Sequence, residues 1–417
     1  MSKLIIEGRK RLSGKIEVQG AKNSALPILA AALLAQDSSV ITNCPNLADV
    51  EITINILRYI GCTVEYDGGT VSINSKYADK YDIPDELMRA MRSSIIFLGP
   101  LLARFGRARL TFPGGCELGP RPIDLHIMAL KQLGVEVSEV HGVLQCSAPN
   151  GIHGAKISLS FPSVGATENI MLAACTAKGT TTITNAAREP EITDLADCLN
   201  AFGARISGAG EGTIVIDGVE KLHGAMHAII PDRIAAATYM AAAAATGGRV
   251  LIDRIIPSHL SSIIPIFEES RCDITQRGNS ILIDAPHRLR AVNFIRTMPF
   301  PGFPTDAQPP IMAMLAAAKG TGIFVENIFE NRYKHVCGME RMGARIHLEG
   351  KVAVVEGVPE LYGAKVSSPD LRGGAALVVA GLCANGITEV SGVNYIERGY
   401  ENIQLVLSNV GASIKKL

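Results

Sequence analysis

One unit of sequence occurs six times along this chain, and that repetition limits the folds open to it more than any other feature. Five copies carry a Gly followed by a small or branched residue and a β-prone stretch: Ile60-Gly61-Cys62-Thr63-Val64, Leu133-Gly134-Val135-Glu136-Val137, Phe202-Gly203-Ala204-Arg205-Ile206, Met342-Gly343-Ala344-Arg345-Ile346 and Val410-Gly411-Ala412-Ser413-Ile414. The sixth, Ser270-Arg271-Cys272-Asp273-Ile274, fits with its Gly replaced. A period of about 70 residues means a repeated α/β subunit rather than a short solenoid repeat. At 417 residues the chain exceeds one ordinary core, and six units divide naturally into two halves.

Each repeat begins with an Ala-rich segment of helical length: 24–36, 92–105, 165–178, 232–246, 306–319 and 371–385. These segments are apolar on nearly all sides, so they predict helices buried in the middle of a domain. A short β-branched stretch follows, such as Thr181-Thr182-Ile183-Thr184, then a more polar second helix, such as 191–202, which the Gly motif ends. The expected fold class is α/β: a two-domain inside-out barrel of six βαβαββ units, three per domain. The boundary falls near Ile230-Pro231-Asp232. Residues 22–230 would form the N-terminal domain. Residues 1–21 hold two strand-like runs that could complete the last unit, so 1–21 and 231–417 would form the second domain, with the active site in the cleft between the two.

Net charge is zero, which gives no reason to expect a nucleic-acid or anionic-membrane partner. The longest strongly apolar stretch, Ala235 to Ala245, is too short to cross a bilayer, and Met1-Ser2-Lys3-Leu4 opens directly into a strand-like segment, so the cytoplasm is the expected compartment. The nine Cys show no CxxC pair, which argues against a disulfide framework or a structural zinc. No metal or cofactor is expected, and the chain is expected to act as a monomer.

The inner helices start on polar residues. Ser163, Asp232 and Asp370 read as ordinary N-caps or as site residues. Lys22, Arg92, Arg233 and Arg372 are less ordinary, because a cation in the first turn opposes the helix dipole and asks for an anion nearby. The stretch Phe112 to Leu125 holds three Gly and three Pro within ten residues, which predicts a loop of the kind that acts as a lid. Cys116 on it is either an accidental surface thiol or a reactive one, five residues from Arg121.

Gly20-Ala21-Lys22-Asn23-Ser24, Pro113-Gly114-Gly115-Cys116, Arg121-Pro122-Ile123-Asp124-Leu125-His126, Ser163-Val164-Gly165-Ala166-Thr167, Phe303-Pro304-Thr305-Asp306, Phe329-Glu330-Asn331-Arg332, Asp370-Leu371-Arg372 and Arg398-Gly399-Tyr400-Glu401 together resemble the UDP-N-acetylglucosamine 1-carboxyvinyltransferases. The resemblance runs in order through essentially the whole chain. It implies transfer of the enolpyruvyl group of phosphoenolpyruvate to the 3-hydroxyl of UDP-N-acetylglucosamine, by addition and elimination, in peptidoglycan synthesis. It implies that Cys116 is the general acid and the site of a covalent phosphoenolpyruvate or fosfomycin adduct, and that Asp306 takes the sugar hydroxyl proton. By the same resemblance Lys22, Arg92 and Arg121 face the phosphate of phosphoenolpyruvate, and Arg372 and Arg398 its carboxylate. Asn23 would bind the sugar, with Arg121, Pro122, Ile123, Asp124, Leu125, Ser163, Val164, Gly165 and Ile328 around the uridine diphosphate. Arg233 and Arg332 would join the substrate contacts, while Asp370 and Glu330 would order the arginines and help proton transfer.

Three stretches depart from the family pattern: Phe161-Pro162 stands where some members carry a Lys, Pro309-Pro310 crowds the start of the fifth inner helix, and Asn394-Tyr395-Ile396 replaces a segment that often ends in His. The competing readings are the sister transferase acting on shikimate 3-phosphate, which lacks the Gly-Gly-Cys loop, and a catalytically idle paralogue that binds the sugar nucleotide.

Overall fold

The computed structural model describes residues 2–111 and 123–417. The described chain divides into two compact units, one of residues 20–111 and 123–230, the other of residues 2–19 and Pro231–Leu417.

The first unit is built on three inner helices, α1 (Lys22–Ala31), α2 (Leu98–Phe105) and α3 (Val164–Ala174). In α1 every residue but Asn23 is buried, as an Ala- and Leu-rich helix with no polar face requires. α2 packs on α3, and the 3-10 turn Arg92–Phe97 that leads into α2 touches both α1 and α3. Gly99 lets α2 come close: a Cβ there would stand 2.6 Å from the Asn169 backbone oxygen. Three sheets surround these helices, of which Lys156–Ser158, Thr180–Thr184, Thr213–Asp217 and Arg205–Ser207 make one. Its first pair is parallel and the others antiparallel, the order expected of a βαβαββ unit. The second repeat departs from that order: among the described residues its sheet has three strands, and the first strand is reduced to one parallel bridge, Asp82 to Arg109.

The second unit repeats the plan with α4 (Arg233–Ala245), α5 (Gln308–Leu315) and α6 (Leu371–Cys383), which pack pairwise on one another. All eight residues of α5 are buried. Two of its three sheets borrow strands from the start of the chain. Ser13–Glu17 lies parallel to Arg249–Asp253, and Lys3–Glu7 lies antiparallel between Ile387–Ser391 and Ser413–Lys416.

The repeated Gly has a conformational reason. Gly61, Gly134, Gly203, Gly343 and Gly411 take φ between +89° and +107° at the ends of the outer helices. Arg271, the replacement in the remaining copy, takes φ +74°. Two expected helices begin later than the sequence suggests. The segment from Arg92 opens as a 3-10 turn, where the Ser94 hydroxyl bonds the carbonyls of Met88 and Met91. The segment from Asp306 opens as the 3-10 turn Thr305–Ala307, because Pro309 and Pro310 have no N–H to donate to preceding carbonyls. Among the described residues, no helix is long and apolar enough to cross a membrane.

Candidate active site

In the first unit the polar residues gather at helix starts. Lys22 opens α1, and its Nζ stands 2.6 Å from Oδ2 of Asp49, which lies in the first turn of the outer helix Ala48–Ile60 and is 1% exposed. Its positive charge is therefore already met by a carboxylate, a partner 27 residues away that the helix-dipole argument did not supply. Asn23, next to it, is exposed. Arg92 opens the 3-10 turn before α2 and is half-buried.

Ser163 does cap α3, its Oγ accepting from the Ala166 N–H at 3.3 Å, and its carbonyl accepts from the Thr167 hydroxyl at 2.8 Å. Val164 and Gly165 form the half-exposed first turn, where backbone N–H groups suit an anion. Ile123 precedes the helix Asp124–Gln132, on which Asp124 is exposed, Leu125 half-buried and His126 buried. A Cβ on Gly165 would lie 3.2 Å from Cε1 of His126, so that imidazole edge abuts the first turn of α3. Burial, with a smaller push from Arg92, lowers the His126 pKa to about 4, so the ring is neutral. The Asn169 amide donates to the Ile95 carbonyl at 3.1 Å and meets His126 Nδ1 at 2.8 Å, while its Oδ1 accepts from the Gly99 N–H at 2.8 Å. The amide NH₂ is a donor, so Nδ1 accepts and the proton sits on Nε2.

Cys116, Arg121 and Pro122 lie outside the described residues.

The second unit holds a denser cluster. Asp232 caps α4 through the N–H groups of Ile234 and Ala235 at 2.8 and 2.9 Å, and Arg233, the next residue, sits over the Phe300 ring. Asp370 caps α6 in the same way, its Oδ1 accepting from Arg372 and Gly373 at 3.0 and 2.9 Å. Both Asp side chains thus act as N-caps, one of the two roles that their position allowed. Arg372 is 2% exposed, donates from Nε to Asp306 Oδ2 at 3.2 Å, and lies over the Tyr400 ring. Burial works against its charge, yet Tyr400, Asp306 and Asp232 outweigh it and hold the guanidinium above its usual pKa. Tyr400 is itself fixed, its hydroxyl 2.8 Å from that of Thr238.

Asp306 is the centre of this cluster. Its Oδ1 accepts from Nη2 of Arg332, its Oδ2 from Arg372, and 27% of its side chain is open. An ionised carboxylate offers about four acceptor positions, so the two guanidinium donors fix its orientation, and the open part of the side chain is where a hydroxyl can reach it. Arg332 is almost fully buried and also donates from Nε to the carbonyl and hydroxyl of Thr305, each at 3.1 Å. These bonds commit Arg332 to holding Asp306. Glu330 is exposed, and Arg398 half-buried beyond the short helix Val393–Ile396. Ile328 sits in a turn whose amide, with that of Phe329, donates to Glu326. Sequence reasoning missed Asp49, Thr305 and Glu326. The only signal for Glu326 was an acidic residue directly after an apolar strand.

A family model described as EPSP synthase (3-phosphoshikimate 1-carboxyvinyltransferase) matches residues 6–407. The chain is 51% identical over 417 residues to UDP-N-acetylglucosamine 1-carboxyvinyltransferase 2 of Caldanaerobacter subterraneus subsp. tengcongensis, covering 100% of both chains. It is 48% identical to UDP-N-acetylglucosamine 1-carboxyvinyltransferase 1 of Carboxydothermus hydrogenoformans, covering 100% of this chain and 99% of that one. Among solved structures, the enolpyruvyl transferase NikO from Streptomyces tendae aligns with a TM-score of 0.89 at 26% identity, covering 100% of this chain and 98% of that one. An EPSP synthase from Acinetobacter baumannii aligns at 0.76 and 19%, covering 100% of this chain and 99% of that one, a likeness of fold alone. The chain belongs to the EPSP synthase family and, within it, to the UDP-N-acetylglucosamine 1-carboxyvinyltransferases.

Proposed function

We propose that this chain transfers the enolpyruvyl group of phosphoenolpyruvate to the 3-hydroxyl of UDP-N-acetylglucosamine and releases phosphate, the committing step of peptidoglycan synthesis. The observation that carries the reading is Asp306, a partly open carboxylate held between Arg332 and Arg372 in a chain half identical to transferases of that name. In the first step Cys116 gives a proton to the methylene carbon while Asp306 accepts the proton of the sugar hydroxyl, whose oxygen bonds to the neighbouring carbon. The resulting ketal then gives a methyl proton back to the Cys116 thiolate as its phosphate leaves, which restores the double bond in the product, and Asp306 returns its proton to the departing phosphate or to water.

Lys22, Arg92 and Arg121 neutralise the departing phosphate. Arg372 and Arg398 hold the carboxylate, for which a planar guanidinium is well suited. Asn23 takes the sugar, and the first turn of α3 with Ile123, Asp124, Leu125 and Ile328 takes the uridine diphosphate. The enzyme works in the cytoplasm, as a monomer.

The test is phosphate release from the two substrates, with and without fosfomycin, in the wild type and Cys116→Ala. Release that fosfomycin and Cys116→Ala both abolish is expected. A well-folded chain that binds UDP-N-acetylglucosamine but releases no phosphate would overturn the reading in favour of an idle paralogue.

A further inference from the structure

Glu326 follows the strand Thr321–Val325 and is 1% exposed. A buried carboxylate needs donors on both oxygens. Oε1 accepts from the amides of Ile328 and Phe329 at 2.8 and 3.1 Å, and Oε2 accepts from the Thr305 hydroxyl at 3.0 Å. A carboxylate only accepts, so the Thr305 hydroxyl must be the donor in that bond. Its lone pairs are thereby turned to Arg332, whose Nε donates at 3.1 Å. Arg332 in turn donates to Asp306, and Arg372 closes the far side of the same carboxylate. The bonds form one connected path from the turn at Ile328, through Glu326, Thr305 and Arg332, to Asp306, in which the two carboxylates only accept, Arg332 only donates, and the Thr305 hydroxyl does both.

We infer that Glu326 is a positioning residue: it ties the turn that carries Ile328 to the carboxylate of Asp306, so that a sugar nucleotide seated on that turn sets the base in place. The inference rests on the function proposed above, which makes Asp306 the base and puts Ile328 beside the nucleotide. Thr305 is the joint. Without its hydroxyl, Glu326 still holds the turn through two amides, but Arg332 loses one of the two contacts that aim it. A base displaced by a fraction of an ångström slows the reaction without loosening the substrate. A carboxylate that served only to cap its turn would behave otherwise, and its loss would weaken nucleotide binding and stability while sparing turnover.

The experiment uses the full chain, UDP-N-acetylglucosamine and phosphoenolpyruvate, with kcat and KM from phosphate release and the melting midpoint measured on each protein. Thr305→Val should lower kcat roughly 10- to 100-fold, with the KM for UDP-N-acetylglucosamine within about threefold of wild type. Thr305→Ser, which keeps the hydroxyl, should restore most of the rate. Glu326→Gln keeps an acceptor for the two amides but offers Thr305 a donor, so it should share the kcat loss. If Thr305→Val does not fold, Glu326→Gln and Thr305→Ser decide. Unchanged kcat in the folded variants, or a rise in KM alone, overturns the inference. Equal losses in Thr305→Ser and Thr305→Val do the same. A wild-type chain that releases no phosphate overturns the function and this inference together, whereas an active wild type with unaffected variants overturns the inference alone.

Discussion

Replacing Asn169 by Leu should destabilise the first unit while leaving its outline intact. The amide is fully buried in the middle of α3 and binds three elements at once: the Gly99 N–H of α2, the Ile95 carbonyl of the turn before it, and Nδ1 of His126. Leu fills a similar space and makes none of these bonds. At roughly 1 kcal/mol for each lost hydrogen bond, the expected change is about 3 kcal/mol. For a unit of this size that lowers the melting midpoint by roughly 6–12 °C. Calorimetry on wild type and variant reads it directly. A double-mutant cycle with His126→Leu adds a sharper condition. Once the ring nitrogen is gone, no buried lone pair is left facing a methyl group, so the double variant should lose at least about 0.5 kcal/mol less than the sum of the singles. A loss under about 1 kcal/mol in Asn169→Leu, or strict additivity in the cycle, would refute the view that one amide organises this part of the core.

Other outcomes follow from the same structure. His126 titrates at about 4 when folded against an ordinary 6.5, so the unfolded chain takes the proton first and stability is lost as pH falls through that window. His335, also lowered to about 4 by burial, acts in the same direction. Denaturant midpoints at pH 7, 5.5 and 4.5 should fall, and fall less in His126→Gln; an identical slope in that variant would remove His126 from the account. Arg271→Gly should stabilise the chain by about 0.5–1 kcal/mol, since a non-Gly residue at positive φ is strained and the gain exceeds the added freedom of the unfolded chain. A lower melting midpoint in that variant would show that the Arg271 side chain outweighs the strain. Burial pushes the thiols of Cys62 up to about 11 and of Cys146, Cys175, Cys272 and Cys383 up to about 12, whereas Cys337 is exposed. Iodoacetamide at about pH 8, mapped by mass spectrometry, should therefore mark Cys337 and spare those five, and marking of Cys175 as fast as Cys337 would contradict the burial.

The inner helices were legible in the sequence because Ala-rich segments such as 235–245 have no polar face to turn outward, and the outer-helix ends were legible because a left-handed residue favours Gly. Arg271 shows the pattern holding even where the Gly is absent. The late starts of α2 and α5 were harder to see. One depends on the Ser94 hydroxyl reaching back to two carbonyls, and the other on two prolines that a helix accepts only in its first turn. In the site, the charged residues could be found one at a time from their place at helix starts. Their pairing could not, because Lys22 with Asp49, and Asp306 with Arg332 and Arg372, join residues from separate elements. Local propensity carries no information about such partners; only the closure of the three-helix units brings them together.

The strand Lys3–Glu7, held antiparallel between Ile387–Ser391 and Ser413–Lys416, sets an order of events on the ribosome. Among the described residues, 20–230 own every strand of their three sheets, the last being Met226–Ala228, so that unit can close before the rest of the chain exists. Leu4 and Ile6, fully buried in the finished protein, are made before residues 20–230 and paired only once Ser413–Lys416 exists. Throughout the synthesis of everything between, they travel as an apolar strand with two open edges, which is the condition under which chains associate wrongly. Nascent chains stalled far enough past residue 230 for Met226–Ala228 to have left the ribosomal exit tunnel should already protect residues 20–230 from protease while leaving Lys3–Glu7 cleavable; protection of Lys3–Glu7 at that stage would show that it finds another partner early. Leu4 and Ile6 thus wait for their partners while half the molecule folds, and what the finished sheet hides must stay unpaired until its last strand is made.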